Sequence, residues 1–596
     1  AVVNTEGPCL VIAGAGSGKT KVLTHKIAYL IGEKQVKPWN ILAITFTNKA
    51  ANEMKERIAN LVGDDAQDIW MGTFHSICVK ILRRFIDRIG FDTSFIIFDS
   101  SDQKTMVKAC MRDLGIDDKK MTDRSVQFEI SNAKNEMLEP EQYQARANGD
   151  FRKEKIASVY NLYQKRLREN NAIDFDDIIN YTIKILMENE DVLEYYSNKF
   201  KYVLVDEYQD TGIDQHYLFI KLKNMGIIMA AVGDVNQSIF EFSGKKSYYL
   251  KRIRQDKTFR SFILSQNHRS HQSIVNYSNR LIDSTCTITD IPEKDRRVFY
   301  FISLGDEKHI ASFIDEKIAS IMNAYNIDKF NKIAILFRNS KNAQYISQEL
   351  NTPHKIVSPT KLDMQISIWA SIFASILRFI FNPTNRFIDI VETYSSFDSL
   401  RNTQKRSLQK SNIVLNGIVD HGEICNKDLF IETSINIATI LMPEAHNIND
   451  INLLKEVVFD SKQLDSYRSE DSNEINLMTL HKSKGLEFDA VIHADLYEWG
   501  LPSKKVENNN FKEPLYPNWE QDLNLHYVGI TRAKKVCILI RSEKRHKSNG
   551  ELTNAQDSEF IQLHNVHNLR FNPVNAIPFP TQRYMNEVKE KEFPRS

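Results

Sequence analysis

The stretch CLVIAGAGSGKT, residues Cys9 to Thr20, decides the fold that the sequence predicts. The apolar run Leu10 to Ile12 is typical of a buried strand, and a helical pattern starts at Lys19. In the glycine-rich turn between them, the backbone can adopt conformations closed to other residues, so consecutive N–H groups can surround a phosphate at the positive end of the helix. The strict phosphate-loop pattern has Gly where this chain has Ala13. We predict a nucleotide site made by Gly14, Ala15, Gly16, Ser17, Gly18, Lys19 and Thr20.

Side chains at the end of this loop and of a later strand extend the prediction. Lys19 is expected to reach the outer phosphates, and the Thr20 hydroxyl to bind Mg²⁺. The apolar run Tyr202 to Val205 leads directly into Asp206 and Glu207. In a phosphate-loop enzyme one such carboxylate fixes Mg²⁺, and the next orients or deprotonates the attacking water. A carboxylate pair at a strand end is otherwise ordinary solvated surface, and the preceding phosphate loop favours the catalytic interpretation.

Composition limits the classes of protein and partner. The 596 residues include 78 Lys and Arg against 77 Asp and Glu, so any polyanion must be bound by local basic and aromatic surfaces rather than by a global field. The six cysteines are widely spaced without metal-ligand spacing, which favours reduced thiols and a cytoplasmic location. The longest apolar run, Ile366 to Phe381, is interrupted by polar residues and too short to cross a bilayer, so we expect no membrane association.

Alternating apolar strands and amphipathic helices predict two αβ regions separated by helical segments. The helix expected after Ser76 is unusually basic, with Lys80, Arg83, Arg84 and Arg88. Residues 77–171 and 351–471 show helical patterns, the first with one short strand. The predicted strands besides those above are Ile41–Phe46, Ile69–Phe74, Phe95–Phe98, Ile227–Val232, Val298–Ile302, Ile333–Phe337, Ile475–Leu480, Ala490–Ala494 and Val536–Ile540.

Eight motifs in fixed order make the sequence resemble the UvrD/Rep/PcrA helicases of superfamily 1. They extend from Ala13 to Ala533, which makes the resemblance very specific. The motifs are AGAGSGKT (13–20), TFTNKAA (45–51), GTFHS (72–76), VDEYQDT (205–211), VGDVNQSIF (232–240), QNHRS (266–270), TLHKSKGLEF (479–488) and YVGITRA (527–533).

The resemblance implies an α/β fold of two RecA-like parallel-sheet domains, each with a mainly helical insertion. The first ATPase domain is expected to comprise residues 1–76 and 172–262, with the insertion at 77–171. The second is expected to comprise 263–350 and 472–569, with a reduced insertion at 351–471. Residues 570–596 contain several prolines and mixed charge, and are expected to form a loose tail.

The resemblance also assigns ATP, with Mg²⁺, to the cleft between the two domains. Arg269 and Arg532 match the arginines that neutralise charge on the γ-phosphate, and Gln237 matches the residue that senses it. Thr20 and Asp206 are the expected metal ligands, and Lys19 and Glu207 the catalytic residues of the first domain. The remaining nucleotide contacts implied by matching positions are Lys21 and His268 beside the adenine, and Gly485 and Glu487 near the ribose and phosphates.

For nucleic acid, the resemblance implies a track of aromatic rings, because stacking tolerates any base. Most Phe residues outside such motifs belong to cores. Where relatives carry Trp followed by Arg, this chain has Phe242 and Ser243, which predicts a weaker grip. The expected DNA contacts are Phe46, Thr47, Asn48, Phe74, His75, Phe240, Phe242 and His481.

The function favoured at this point is an ATP-driven motor that moves 3′ to 5′ on single-stranded DNA and separates duplex at single-strand/double-strand junctions. The alternative is a DNA-stimulated ATPase that recognises or remodels DNA for a partner, such as a nuclease or a repair or defence protein, without processive unwinding. The two differ in whether hydrolysis is accompanied by strand separation.

Overall fold

Two six-stranded sheets, each wholly parallel, form the frame of the molecule. Parallel sheets bury both faces, which is why most of their strands are nearly continuous apolar runs. The predicted α/β fold with two parallel sheets is therefore confirmed. The computed structural model describes residues 2–116, 121–240, 247–357, 362, 367–381, 386–395, 400–420, 423–460, 463–464, 467, 473–494, 496–506, 514–547 and 550–571.

The first sheet begins with three strand–helix units. Successive side chains of its first strand enter opposite cores: Leu10 packs on one face of the sheet, and Cys9 and Val11 pack on the other. Threonine side chains cap the starts of the second and third helices, and Thr73 does so by accepting a hydrogen bond from the Ser76 N–H. The elements are β1 (Cys9–Ala13), α1 (Lys19–Gly32), β2 (Ile41–Thr45), α2 (Asn48–Val62), β3 (Trp70–Thr73) and α3 (Phe74–Phe85).

A helical insertion follows, with the strand that the sequence predicts near Phe98 and a second strand that it does not. The two strands pair in parallel, Ile97 opposite Ile173. The buried Lys134 ammonium binds the carboxylates of Asp174 at 2.6 Å and Asp177 at 2.8 Å, and so fixes the insertion to the next helix. Its elements are β4 (Ile96–Phe98), α4 (Ser100–Asp113), α5 (Asp123–Asn135), α6 (Pro140–Arg146), α7 (Phe151–Glu169) and β5 (Ala172–Asp174).

The chain then completes the first sheet, whose strand order is β3-β2-β6-β7-β1-β8. This order places β6 and β7 beside the phosphate-loop strand. The edge strand β8 extends beyond residue 262 and pairs Ile263 with Ile12. The elements are α8 (Phe175–Glu188), α9 (Glu190–Lys199), β6 (Tyr202–Val205), α10 (Ile213–Asn224), β7 (Ile228–Gly233), α11 (Tyr248–Gln255) and β8 (Arg260–Leu264).

The second sheet starts in the same strand–helix pattern. Its central strand alternates between two cores, with Leu336 on one face and Ile335 and Phe337 on the other. The sequence prediction of a helical region from residue 351 missed its short edge strand β11, which pairs with the returning chain. The elements are α12 (Gln272–Ile282), β9 (Val298–Ser303), α13 (His309–Ala324), β10 (Ile333–Phe337), α14 (Ser340–Glu349) and β11 (His354–Ile356).

A second helical segment has its own apolar core around Trp369, whose indole N–H donates to the Met442 carbonyl at 2.8 Å. Ile368–Phe381 is a buried helix here, as the sequence predicts. Across the residues that the structure describes, every helix is too short or too polar to span a bilayer. The elements are α15 (Ile368–Phe381), α16 (Phe387–Tyr394), α17 (Asn402–Gly417), β12 (Val419–Asp420), β13 (Glu423–Ile424), α18 (Lys427–Leu441) and α19 (Ile448–Phe459).

The returning chain completes the second sheet in the order β11-β14-β10-β15-β16-β9. Arg570 and Phe571, which the sequence prediction assigns to the tail, pack on this unit: the Arg570 guanidinium lies 4.4 Å from the Tyr300 ring centroid, and Phe571 stacks on Phe299. Residues 572–596 lie outside the described residues. The elements are β14 (Ile475–Thr479), β15 (Phe488–His493), α20 (Trp519–Ile530), β16 (Ala533–Ser542), β17 (Lys544–His546) and β18 (Leu552–Asn554).

Candidate active site

The phosphate loop connects β1 to α1 in the conformation that glycine permits. Gly16 and Gly18 have φ angles of 71° and 89°, in the left-handed region. A Cβ at Gly16 would lie 2.8 Å from the Cβ of Arg269, so glycine is also required by the close approach of the second unit. The Ser17 hydroxyl donates to the Gly14 carbonyl at 2.7 Å and closes the turn. The loop therefore has the shape expected for a phosphate cradle.

The two predicted metal ligands lie together at the carboxyl edge of the first sheet. The Thr20 hydroxyl donates to the Asp206 carboxylate at 3.3 Å, although the two residues belong to different strand–helix units. Asp206 is largely buried and also accepts a hydrogen bond from the Glu207 N–H at 2.9 Å. A hydroxyl and a carboxylate are oxygen donors of the kind that Mg²⁺ prefers. These two residues therefore fit the metal that the sequence implies.

Glu207 is held in place by a residue that the sequence analysis did not single out. Its backbone has φ 50°, which is unusual for a side chain of this size. The fully buried Gln209 amide donates to the Glu207 carboxylate, while its carbonyl oxygen accepts the Asp234 N–H at 3.0 Å. Gln209 thus links the ends of β6 and β7 and fixes the direction of the Glu207 carboxylate. Its place inside the VDEYQDT motif was the available signal.

The paired carboxylates respond differently to the same cation. Burial, and then the charge of Glu207, raise the pKa of Asp206 despite the nearby Lys19. Burial alone would also raise the pKa of Glu207, but Lys19, Lys484 and the Gln209 hydrogen bond outweigh it and hold that pKa below its usual value. Glu207 is therefore the carboxylate that stays ionised, as a group that accepts a proton from water must.

Gln237 lies close to this edge but its amide is already engaged. Its Nε2 donates to the Asp234 carboxylate at 2.7 Å, and Asp234 in turn caps the short helix that contains Gln237. Burial raises the pKa of Asp234, and the charge of Lys19 opposes this shift. The Gln237 side chain is thus positioned beside the loop by a carboxylate that faces Lys19.

The second unit contacts the phosphate loop directly. The Asn267 side-chain amide donates to the Ala15 carbonyl at 2.8 Å, and the His268 N–H donates to the Gly16 carbonyl at 2.9 Å. The Ala15 N–H donates a hydrogen bond to the Tyr527 hydroxyl oxygen. Burial raises the pKa of Tyr527. The sequence analysis assigned His268 through its side chain, and assigned neither Asn267 nor Tyr527.

Lys484 forms a second bridge between the two units. From the loop after β14 its ammonium reaches the buried Asp210 carboxylate and donates to the Gln237 carbonyl at 2.6 Å. The same ammonium lies 5.3 Å from the centroid of the Phe240 ring. One side chain of the second unit thus contacts both the catalytic edge and an aromatic residue predicted to bind DNA. Lys484 lies inside the TLHKSKGLEF motif but was not among the predicted site residues.

The two predicted arginines are held differently. Arg269 donates through Nε to the Glu487 carboxylate at 2.8 Å, and Glu487 also pairs with Lys534 at 2.5 Å. Arg532 is almost fully buried, and its guanidinium donates to the carbonyls of Val528 and Leu486. Burial, and then the charge of Arg269, lower the pKa of Arg532 to about 9, so it remains protonated at neutral pH.

The remaining predicted nucleotide contacts surround the same cleft. The side chains of Lys21 and His268 are exposed, Lys21 on α1 and His268 beside the loop. Gly485 has φ 85°, a conformation that favours glycine in the turn between Lys484 and Glu487.

The predicted DNA residues are only partly brought together. Phe46 and Phe240 stack with ring centroids 5.0 Å apart, and His481 lies 6.2 Å from Phe240. Burial lowers the pKa of His481 to about 4, which leaves it neutral at pH 7. His75 stacks on Phe175, a residue that the sequence analysis missed, with centroids 3.8 Å apart.

Other members of that set have different surroundings. Phe74 packs in the core of the first sheet with 7% of its surface exposed, and its contact with DNA stays a prediction. The Thr47 hydroxyl caps α2 by accepting the Ala50 N–H at 3.1 Å. Phe242 and the side chain of Asn48 lie outside the described residues.

Comparison with known proteins gives matches over nearly the whole chain. The family described as UvrD/REP helicase N-terminal domain matches residues 1–258, and the UvrD-like helicase C-terminal domain matches residues 262–439 and 385–544. The ATP-dependent DNA helicase PcrA of Staphylococcus epidermidis strain RP62A is 33% identical, over 91% of this chain and 83% of that protein. The protein of the same name from Staphylococcus aureus strain Mu50 is 34% identical, over 91% of this chain and 82% of its own length.

Proposed function

This chain belongs to the UvrD/REP helicase family, and from that membership we propose that it is an ATP-dependent DNA helicase. It hydrolyses ATP in the cleft between the two sheets, moves 3′ to 5′ along single-stranded DNA and separates duplex. The work required per step is small, because duplex stacking averages about 1.4 kcal/mol per base-pair step. The direction of movement rests on the resemblance of the motifs alone.

The observation that carries this proposal is the position of Lys484. Its ammonium binds Asp210 and the Gln237 carbonyl at the catalytic edge, and faces the Phe240 ring of the predicted DNA track. Any movement of the second unit that follows a change at the phosphates must therefore shift a group beside Phe240. Such a shared contact is the physical requirement for coupling hydrolysis to movement, since each site must bias the same structural element.

We assign the hydrolysis to residues of the first unit. The N–H groups of the loop and Lys19 bind the phosphates, and Thr20 with Asp206 would hold Mg²⁺, which neutralises charge on the phosphate oxygens when bound. Glu207, ionised and aimed by Gln209, orients the attacking water and accepts its proton.

The second unit completes the site on closure. Arg269 is bound to Glu487 here and must exchange this partner for a phosphate oxygen. The ion pair is partly exposed, and such pairs are worth about 0–1 kcal/mol, so the exchange costs little. Arg532 adds positive charge from a buried position fixed by backbone carbonyls. Arginines placed in this way accelerate phosphoryl transfer by about 10³ to 10⁵.

We place the single strand across the carboxyl edges of both sheets, over the Phe46–Phe240 stack. These rings give a face on which a base can stack, worth about 1–3 kcal/mol. We assign sugar or phosphate contacts to His481 and His75, which follow the carboxyl ends of β14 and β3.

The test measures hydrolysis and strand separation together on 3′-tailed, 5′-tailed and blunt duplexes of the same sequence. We expect single-stranded DNA to stimulate ATP hydrolysis, and unwinding of the 3′-tailed duplex only. The matched control is Glu207→Gln, which leaves the DNA surface intact and should unwind nothing. Stimulated hydrolysis without unwinding of any duplex would contradict helicase activity, and unwinding confined to the 5′-tailed duplex would contradict the direction.

A further inference from the structure

The first unit carries a basic cluster that lies outside the proposed active site. It consists of three cations and two aromatic rings from α3, α9 and the start of β3, and we call it the basic patch. The positive charge of α3 is evident in the sequence, but no function was predicted for it. The patch is formed by Lys80, Arg84, Lys199, Trp70 and Tyr195.

The cations of the basic patch are held over the ring faces. The Lys199 ammonium lies 3.7 Å from the Trp70 ring centroid, and the Lys80 ammonium lies 5.7 Å from it. The Arg84 guanidinium lies 4.4 Å from the Tyr195 ring centroid and donates to the Tyr195 hydroxyl at 2.6 Å. The ring faces therefore orient the three charges, while Tyr195 remains 36% exposed.

Like charges in the patch are close enough to affect each other. Burial lowers the pKa of Lys199, and the positive charges of Arg84 and Lys80 lower it further. The neighbouring Arg88 pairs with Asp191 at 2.8 Å, at the border of the patch. A bound anion would relieve the repulsion among Lys80, Arg84 and Lys199, so the cluster favours a partner with several negative charges.

The basic patch lies at the amino ends of the strands of the first sheet, and the predicted nucleotide site lies at their carboxyl ends. Trp70 is the first residue of β3, and Lys199 precedes β6, which starts at Tyr202. Asp206 and Thr73 mark the other ends of these parallel strands. The first and last residues of a four-residue strand are about 10 Å apart. A single strand of DNA that lies over Phe46 and Phe240 is at the carboxyl edge of the sheet. It therefore does not contact the basic patch, which is at the amino edge.

We propose that the basic patch binds the phosphate backbone of duplex DNA. The proposal rests on the proposed function in taking DNA as the substrate. Two of the three cations lie over Trp70, and the patch lies away from the predicted single-strand track, so we assign it charge contacts with a duplex. Lys80 and Arg84 are about one helical turn apart, about 6 Å along α3, so both can face the same partner. Contacts of this kind read charge and not sequence.

The test uses the full chain with Lys80→Gln, Arg84→Gln and Lys199→Gln combined. Affinity for a blunt duplex is measured by fluorescence anisotropy over a salt series, and it should fall about tenfold at low salt. The slope of log K against log salt should become shallower by about 2.7, which is about 0.9 for each of the lost phosphate contacts. Hydrolysis stimulated by single-stranded DNA should stay within about twofold of the unsubstituted chain, because no residue of the patch contacts the active site.

Three controls separate charge from structure. Lys80→Arg, Arg84→Lys and Lys199→Arg together retain every charge and should keep the duplex affinity. Removing equal charge elsewhere, at Lys308, Lys317 and Lys332, should leave the salt slope unchanged. If the triple variant does not fold, Lys80→Gln with Arg84→Gln leaves the partly buried Lys199 in place and should reduce the slope by about 1.8.

Two results would overturn the proposal. One is an unchanged duplex affinity and salt slope in a folded variant. The other is polyglutamate binding that weakens in the variant while duplex binding does not, which would identify an acidic peptide as the partner. Absence of DNA-stimulated hydrolysis in the unsubstituted chain would instead contradict the proposed function, and would leave the duplex measurement valid.

Discussion

The two sides of the nucleotide cleft are built from different kinds of interaction. On the first sheet, Asp206, Gln209 and Asp234 are buried and hydrogen bonded to near neighbours at adjoining strand ends. On the second unit, Arg269 and Glu487 form an ion pair in which 43% of the Glu487 side chain is exposed. The first arrangement is costly to disturb, because each buried polar group would lose its partner.

This difference indicates how the work is divided. Groups that must keep one geometry through many cycles are fixed by the sheet, whereas groups that must change partners are held by weak, partly exposed pairs. Lys484 connects the two sides of the cleft, because it belongs to the second unit and its ammonium pairs with the buried Asp210 of the first. Substitutions on either side should therefore fail in different ways.

The largest effect is expected on the first side, from Glu207→Gln. The amide cannot accept a proton, so ATP hydrolysis should fall by roughly 10² to 10⁴, while Lys19, Thr20 and Asp206 still bind nucleotide and Mg²⁺. Steady-state ATPase assays and equilibrium binding of a fluorescent ATP analogue measure the two quantities. Lys19→Ala is the matched variant, and should lose binding as well. Hydrolysis above a few per cent in Glu207→Gln would exclude Glu207 as the base.

Gln209→Ala tests whether the first side depends on fixed orientation. Turnover should fall by roughly 10²-fold with little change in KM, because the Glu207 carboxylate loses the group that directs it and the Asp234 N–H loses its acceptor, while Lys19 and Thr20 remain. Burial raises the pKa of Glu207, and Lys19, Lys484 and Gln209 lower it more, so removing the Gln209 hydrogen bond must raise it. Since the carboxylate is the active form, the acid limb of the pH–rate profile should move to higher pH. A profile that does not move would show that Gln209 acts elsewhere.

Lys484→Met tests the bridge between the sides. Loss of its contacts with Asp210 and the Gln237 carbonyl should reduce the stimulation of hydrolysis by single-stranded DNA about tenfold, within the usual range of coupling energies. The rate without DNA should change less, because Lys19, Glu207 and Gln209 remain. The ratio of the two rates is the measurement. An equal fall in both rates would indicate a purely catalytic role and no coupling.

The smallest effect concerns the base of the nucleotide, on the exposed rim of the cleft. Lys21 has no planar face, and the His268 imidazole is smaller than a phenol ring, so stacking on the adenine should be weaker by ~1 kcal/mol than with Arg and Tyr. Lys21→Arg with His268→Tyr should raise the preference for ATP over GTP about fivefold, measured as a ratio of kcat/KM values. A preference above roughly hundredfold in the unsubstituted chain would leave no such weakness to correct.

Much of the fold was predictable because its signals are local. The runs at Leu10 to Ile12 and Tyr202 to Val205 are apolar over the length of a buried strand, and both strands are found there. The edge strand β8 was not predicted because its RSFIL sequence is largely exposed and lacks such a run. The short strand β11 is specified only by its neighbour β14, so no local pattern indicates it.

By itself the sequence determined the phosphate loop, the carboxylates at a strand end and the order of eight motifs, since each depends on residues adjacent in the chain. Only the tertiary structure decided that Asn267 touches the loop at Ala15, that Lys484 reaches Asp210, and that Lys199 lies over Trp70. These contacts join residues more than a hundred positions apart. They exist because the order of strands in each sheet and the packing of the two units set which side chains meet, and neither follows from local periodicity.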